Sequence, residues 1–471
     1  MRLLQRSAAL AGLAATVAAV ALAGCHDYLS GPKLSENPNA PTNSTADQLF
    51  TGVQVATFAL FETQAAQVTT VWDQQTAGVA RQWQNYADYS FDEFFADGSA
   101  WQQMFAGGGL TDIRKIQASA RAANNRVFLG IAQAYEALVI GTMADWFGDI
   151  PYTRALQGGA APTLDKQSAV YAALQAVLDS AVANLSSGQG TGPGSVDFVY
   201  GGDRAKWARM AHTLKARYYV HASARQSDSL AAWARALAEA RQGINSADGD
   251  FVTVHGSSDL EANLWYQFLV VSRAGDIDPG KSLVDLLNQR GDTRLLGQYF
   301  TRNGAGVYAG SPIDRPASDP SAFNIAKDTP VRLVTYAENQ MLLAEAQYRT
   351  GDAAGAAATL GAFRGTLGQP AVAAAGAQLL VQILLEKYTT QFLNPESWQD
   401  YLRTCVPNLT LPAAAKATYV PARFYYANSE RVANPNIPEP NAQPKANANV
   451  PKNARDPLGA TCVGQANRPG T

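Results

Sequence analysis

The sequence predicts a mostly α protein, a helical-repeat scaffold carrying long irregular loops. Three observations carry that prediction. Apolar residues recur at three- and four-residue spacing in several segments, most clearly at Phe128, Ile131, Ala132, Tyr135, Leu138 and Val139. Two pairs of helical segments are separated only by a short turn, 204–225 from 229–245 and 331–350 from 353–366. Alternating strand patterns are few.

In chain order, Arg2 and Arg6 precede an apolar run from Ala8 to Ala23. That is the layout of a secretory signal, which takes no part in the mature fold. The run is shorter than the ~20 residues a membrane span needs. It ends in Leu22-Ala23-Gly24-Cys25, which resembles the lipobox of bacterial lipoproteins. The resemblance implies a signal peptide over 1–24, lipidation of Cys25, and anchorage to a membrane through acyl chains. Residues 25–45, rich in Pro, Asn, Ser and Thr, read as a flexible tether. Residues 46–471 are then expected to form a single helical domain.

Within that domain, 47–67 is helical in character. From Val71 to Gly109 aromatic residues crowd among Gln, Asn and Asp without a fixed period, which suggests short helices joined by loops. A helix is expected from Asp112 to Thr142, ended by Gly148 and Pro151. Another follows at 168–185, then a Gly/Ser loop over 186–194, the helical pair 204–225 and 229–245, a mixed stretch 251–300 and a loop-rich stretch 304–327. The pair 331–350 and 353–366, around Gly351-Asp352, resembles a tetratricopeptide unit, in which paired helices stack and share a core. A helix over 378–393 comes next. Beyond Tyr419 the chain is dominated by Pro, Asn and Ala, a composition expected to bury little surface.

Composition narrows the function. Hydrophobic residues make up 47% of the chain, enough for a sizeable core. Two of the 37 basic residues leave with the signal and none of the 39 acidic ones, so the mature balance is −4. That excludes nucleic acid as the expected partner, since such partners require a basic face. Beyond Cys25 only Cys405 and Cys462 remain, and outside the cytoplasm an even pair suggests one disulfide.

Several motifs invite chemistry. Gly275 to Ser282 satisfies the phosphate-loop pattern, but Asp276 and Asp278 would face a polyanion and Pro279 lacks an N–H for the anion nest. The four histidines, His26, His212, His221 and His255, sit in no metalloprotease pattern, and no metal site or cofactor is expected. Asp92-Glu93 and Asp145/Asp149 are the acid pairs that glycoside hydrolysis would require, although acids are more commonly solvated or capping. The binding candidates are aromatic and polar residues on loop-like sequence: Asp73, Arg81, Trp83, Asn85, Tyr86 and Trp101, with Trp265 and Tyr266 as a second cluster. Sugar rings stack on flat aromatics and pair their hydroxyls with such polar groups. For each aromatic the competing reading is burial in the core.

Seven stretches in order resemble the SusD/RagB family of outer-membrane nutrient-binding lipoproteins. They run from Ala132 to Tyr152, which ends DWFGDIPY, and from Val199 to Val220. They continue as NLWYQF at Asn263 to Phe268, GDTRLLGQYF at Gly291 to Phe300 and LVTYAENQMLLAEAQYRTGD at Leu333 to Asp352. The last two are Glu386 to Thr404 and PARFYYANSERVANPN at Pro421 to Asn436. The resemblance implies a tetratricopeptide-like scaffold. It also implies a glycan or oligopeptide ligand, a TonB-dependent transporter barrel (SusC-like) as partner, and no catalysis. The expected protein is a lipid-anchored, surface-exposed binder at the outer membrane that serves nutrient uptake. A lipid-anchored glycan hydrolase and a structural or adhesion lipoprotein are the alternatives.

Overall fold

The computed structural model of the protein describes residues 44–96, 100–158, 161–223, 229–416 and 420–443. Cys25, Cys462 and most of the tether lie outside the described residues. Two compact units divide at Gln48–Leu49. The first contributes to the described residues only Ser44, Thr45 and the start of helix α1, Ala46–Glu62; everything below concerns the second.

After α1 come α2 (Gln64–Trp72), β1 (Thr76–Gly78), α3 (Gln82–Ala87), a 3-10 turn (Glu93–Ala96) and α4 (Ala100–Phe105). The helix expected over 112–142 is two: α5 (Leu110–Ala122) and α6 (Arg126–Phe147). Asn124 takes a left-handed conformation (φ 58°) and the side chain of Asn125 accepts from the Phe128 N–H at 3.1 Å. A turn residue tolerant of positive φ and an N-cap therefore interrupt a stripe whose apolar period continues across them. Gly148 (φ 80°) closes α6, as expected.

Helices α7 (Gln167–Ser187), α8 (Arg204–Ser223) and α9 (Ser229–Ala240) follow. The mixed stretch resolves into β2 (Phe251–Val252), a single turn α10 (Leu264–Tyr266) that continues as a π-turn over Gln267–Ser272, β3 (Ile277–Pro279), α11 (Lys281–Gln289), α12 (Thr293–Tyr299), β4 (Phe300–Thr301) and β5 (Ala322–Phe323). Strand β6 (Arg332–Val334) leads into α13 (Tyr336–Arg349) and α14 (Ala353–Thr366), then α15 (Ala377–Thr390), α16 (Glu396–Thr404) and α17 (Asn428–Ala433). The hairpin of α13 and α14 turns at Gly351 (φ 95°), and Asp352 caps α14 by accepting from Gly355 N–H at 2.8 Å.

Helix packs on neighbouring helix in a single array: α5 on α6, α6 on α7, α7 on α8, α8 on α9, α9 on α13, and α13 on both α14 and α15. This is the expected helical-repeat scaffold. Helix α6 is apolar and long enough to cross a bilayer, yet it is buried on every side within the array. The strands form three two-stranded antiparallel ribbons, β1 with β3, β2 with β6 and β4 with β5. In the first, Thr76 lies opposite Pro279 and Gly78 opposite Ile277.

Charged residues join the helices from inside. Arg217 on α8 makes two 2.6 Å bonds to Glu338 on α13. Arg403 on α16 makes two of 2.7 Å to Glu345, two turns further along α13. Burial alone would raise Glu345, but Arg403 and Arg349 outweigh it and hold the carboxyl at about 2. Lys387 on α15 reaches Asp400 at 2.5 Å and Glu396 at 3.3 Å. Fork-shaped guanidinium–carboxylate pairs of this kind fix the register of one helix on the next.

The expectation of little burial beyond Tyr419 is corrected for residues 420–427. Val420, Ala422, Phe424 and Tyr426 are buried. The Phe424 ring lies 5.0 Å from Trp72 and 5.6 Å from both Trp146 and Trp398, and its N–H donates to the Trp146 carbonyl. Composition averaged over the tail hid a short aromatic insert within it.

Candidate functional site

The two aromatic stretches singled out in the sequence meet in space. Ribbon β1/β3 fixes the chain that follows β1 against the chain that precedes β3, and the N–H groups of Val79 and Ala80 donate to the Asp276 carbonyl. Arg81 then adopts φ 51° and ψ −137°, a costly conformation for a residue with a Cβ. Its half-exposed guanidinium pairs with the fully buried Asp276. Helix α3 follows, and the ring of Trp83 meets Phe268 of the π-turn edge-on at 5.0 Å. Gln84 of α3 donates to the Asp314 carbonyl at 3.0 Å. Arg81, Gln82 and Asn85 are exposed on the first segment of this crest, and Val270 and Val271 on the second. π-turns inside helices recur at functional sites.

Of the eight candidates, Arg81 and Asn85 are exposed and Tyr86 and Tyr266 half-buried. Tyr86 accepts at its hydroxyl from Gln64 at 2.7 Å. The other four are corrected to interior positions. Asp73 is fully buried, takes the Ser397 hydroxyl and, through burial, has its carboxyl pushed up to about 8. Trp83 is 1% exposed beneath the crest. Trp101 packs edge-on at 4.9 Å against Phe147, and Trp265 is fully enclosed. All eight tryptophans of the chain are buried. Indoles on polar, non-periodic sequence read as surface platforms, but here the short helices turn each of them inward.

Beside Leu264 of α10 and Gln267 of the π-turn opens a groove of about 530 Å³. Its walls are Val55 and Phe58 of α1, Phe198, Val254, Leu260 and Leu264. Leu260 is 98% exposed at the tip of a turn closed by the bond from Gly256 N–H to the Glu261 carbonyl. At the floor, Glu62 accepts from His255 Nε2 at 2.7 Å and from Leu264 N–H at 2.9 Å. Gln267 lines the groove and opens the π-turn, so groove and crest share one segment, Asn263–Phe268. Sequence reasoning missed the groove. One signal existed: Leu260 is an isolated apolar residue inside the polar run Ser257-Ser258-Asp259-Leu260-Glu261.

The remaining motifs resolve into structure. In the phosphate-loop match, Gly280 N–H donates to the Gln75 carbonyl and Lys281 N–H to the Ser311 carbonyl, so two backbone donors an anion would need are spent. Lys281 pairs with Asp285 at 2.6 Å. Of the acids considered for hydrolysis, Asp145 is buried against His221, and Asp149 accepts from Gln167 N–H and Lys166. Asp92 accepts from Phe94 N–H, while Glu93 pairs with Arg431.

Asp145, His221 and Glu396 bring ligand-type atoms within 4.8 Å of one another. Their geometry describes an ion-pair cluster. His221 Nδ1 faces Asp145 at 2.8 Å and Nε2 faces Glu396 at 3.0 Å. Only the imidazolium can donate from both ring nitrogens. Burial alone would lower its pKa, but Asp145 and Glu396 raise it to about 10. Lys387 and Arg217 lie beside Glu396, so its charge is already matched by protein cations.

A family model described as SusD-like, starch-binding associating with outer membrane, matches residues 38–427. The chain belongs to the SusD-like family. No curated protein sequence matches it. A SusD/RagB family protein from Bacteroides thetaiotaomicron superposes with a TM-score of 0.69 at 22% identity, covering 84% of this chain and 95% of that one. A chitin-binding SusD homolog from Flavobacterium johnsoniae gives 0.64 at 19% identity, over 84% and 98%. A SusD homolog from Bacteroides fragilis gives 0.68 at 18% identity, over 84% and 94%. At these identities the structural likeness speaks to the fold, and the family assignment rests on the sequence match.

Proposed function

We propose that this SusD-like protein captures a glycan at the crest and groove and passes it to a TonB-dependent transporter barrel, with no bond made or broken. The observation that carries the reading is that the segment exposing Arg81 and Asn85 meets, through Trp83 and Phe268, a π-turn whose first residue, Gln267, lines a ligand-sized groove. Rigid helices hold that segment, and hydrogen-bonding side chains sit beside apolar wall, the mixture a sugar requires. The family description, and the solved relatives whose names record chitin binding, support a carbohydrate ligand.

In the same reading residues 1–24 are removed, Cys25 carries the lipid and residues 25–45 tether one domain at the outer membrane. The disulfide-bonded Cys405 is joined to Cys462, pinning the end of the chain. The test is titration calorimetry of the mature protein against starch- and chitin-derived oligosaccharides, beside co-purification with a barrel co-expressed from the same source. Saturable binding without product release, weakened about tenfold by Asn85→Ala, is expected. Release of shortened sugars, or no binding across the panel, overturns it.

A further inference from the structure

The groove narrows the kind of sugar. Its titratable side chains are Glu62, Glu261 and His255, and among the described residues no lysine or arginine lines it. His255 is committed to Glu62. A uronate, sulfate or phosphate on the ligand would therefore meet carboxylates without a compensating cation, which is repulsive at short range. The lining therefore disfavours an anionic occupant.

The walls are aliphatic where a bare pyranose would be expected to meet flat rings. Val55, Val254 and Leu260 are exposed, and Phe198 is the exposed aromatic in the lining. With every indole buried, the groove offers branched carbons suited to a methyl group and one ring suited to a sugar face. Beside them the Glu261 carboxylate has no partner among the described residues, so it is an open acceptor. An acceptor next to an aliphatic wall complements a group that carries a methyl and an N–H together. At about 530 Å³ the groove has the size of sites that bind small organic ligands and short oligomers.

We propose that the groove formed by Val55, Phe198, Val254, Leu260 and Glu261 receives the 2-acetamido substituents of a neutral amino-sugar glycan. The acetyl methyl packs against Val254 and Leu260, and the amide N–H is offered to Glu261. This rests on the reading that the chain binds a glycan, and it is separable from it.

The experiment is calorimetry of the mature protein with two probes of equal length and linkage, tetra-N-acetylchitotetraose and cellotetraose, which differ at the 2-position and its substituent. At least tenfold tighter binding of the acetylated tetramer is expected. Leu260→Ser and Val254→Ser lie on exposed positions and should leave the fold intact while cutting that preference about fivefold. Equal affinity for the two tetramers overturns the acetamido assignment and leaves glycan binding standing. A preference that survives both substitutions places the acetamido site elsewhere and also overturns it. No binding of either tetramer, with binding of an uncharged leucine-rich peptide lost in Leu260→Ser, overturns this inference and the glycan reading together.

Discussion

The ring of Trp83 meets that of Phe268 at 5.0 Å with an interplanar angle of 69°, a ring contact that joins the two halves of the candidate site alongside the β1/β3 ribbon. Trp83 comes from the first aromatic stretch and Phe268 from a turn 185 residues later. Trp83→Ala should leave a cavity under the crest and cost about 3–5 kcal/mol. Denaturant unfolding followed by far-ultraviolet circular dichroism measures that loss. Unchanged stability with lost glycan affinity would return Trp83 to the surface.

Alkaline pH should weaken the helix array through His221. Its ordinary value near 6.5 rises to about 10 in the fold. A raised value means the folded state holds the proton more tightly, so the stabilisation is fully present below about 6.5. It falls away as pH climbs through about 10. His221→Phe leaves Asp145 and Glu396 facing an uncharged ring and should cost about 3–5 kcal/mol. Melting curves of both proteins between pH 6 and pH 11 check this, since only the native protein should lose stability steeply toward pH 10.

Asp73 acts in a lower window. Burial lifts its carboxyl from 3.8 to about 8. The folded state again takes up a proton, so stability falls between those values by at most about 1.4 kcal/mol per pH unit. Asp73→Asn should match the native protein at pH 4 and exceed it at pH 9. Parallel pH profiles for the two proteins would refute the assignment.

Lys281→Ala should change stability by no more than about 0.5 kcal/mol, the scale of an exposed i,i+4 pair. The protein should show no binding of adenosine triphosphate in either form. Fluorescent-nucleotide titration decides it, and a signal lost in the variant would revive the phosphate loop.

The helical array was legible because its periodicity is strong: α13 and α14 fall within a few residues of the expected pair, and Gly351-Asp352 is the turn between them. The break at Asn124 was not, because the apolar stripe runs through it and only local backbone chemistry interrupts the helix. The candidate site was legible in part: Arg81 and Asn85, singled out from loop-like sequence, are exposed, whereas Asp73, Trp83, Trp101 and Trp265, singled out by the same cue, are interior. A polar neighbourhood in sequence does not say which way a short helix turns its indole. The groove was invisible because α1, Phe198 and the 254–267 segment contribute to it from three distant parts of the chain.

Phe424 touches Trp72, Trp146 and Trp398, which belong to α2, α6 and α16, helices far apart along the chain. Those three indoles therefore wait, through synthesis, for a segment made after the helices that carry them. A nascent chain stopped short of residue 420 would hold nearly all its helices yet present an unfilled aromatic seat. Completion of the core is thus a checkpoint on synthesis past Phe424, and a stop before residue 420 should yield a sticky, protease-sensitive product rather than a slightly shorter working one.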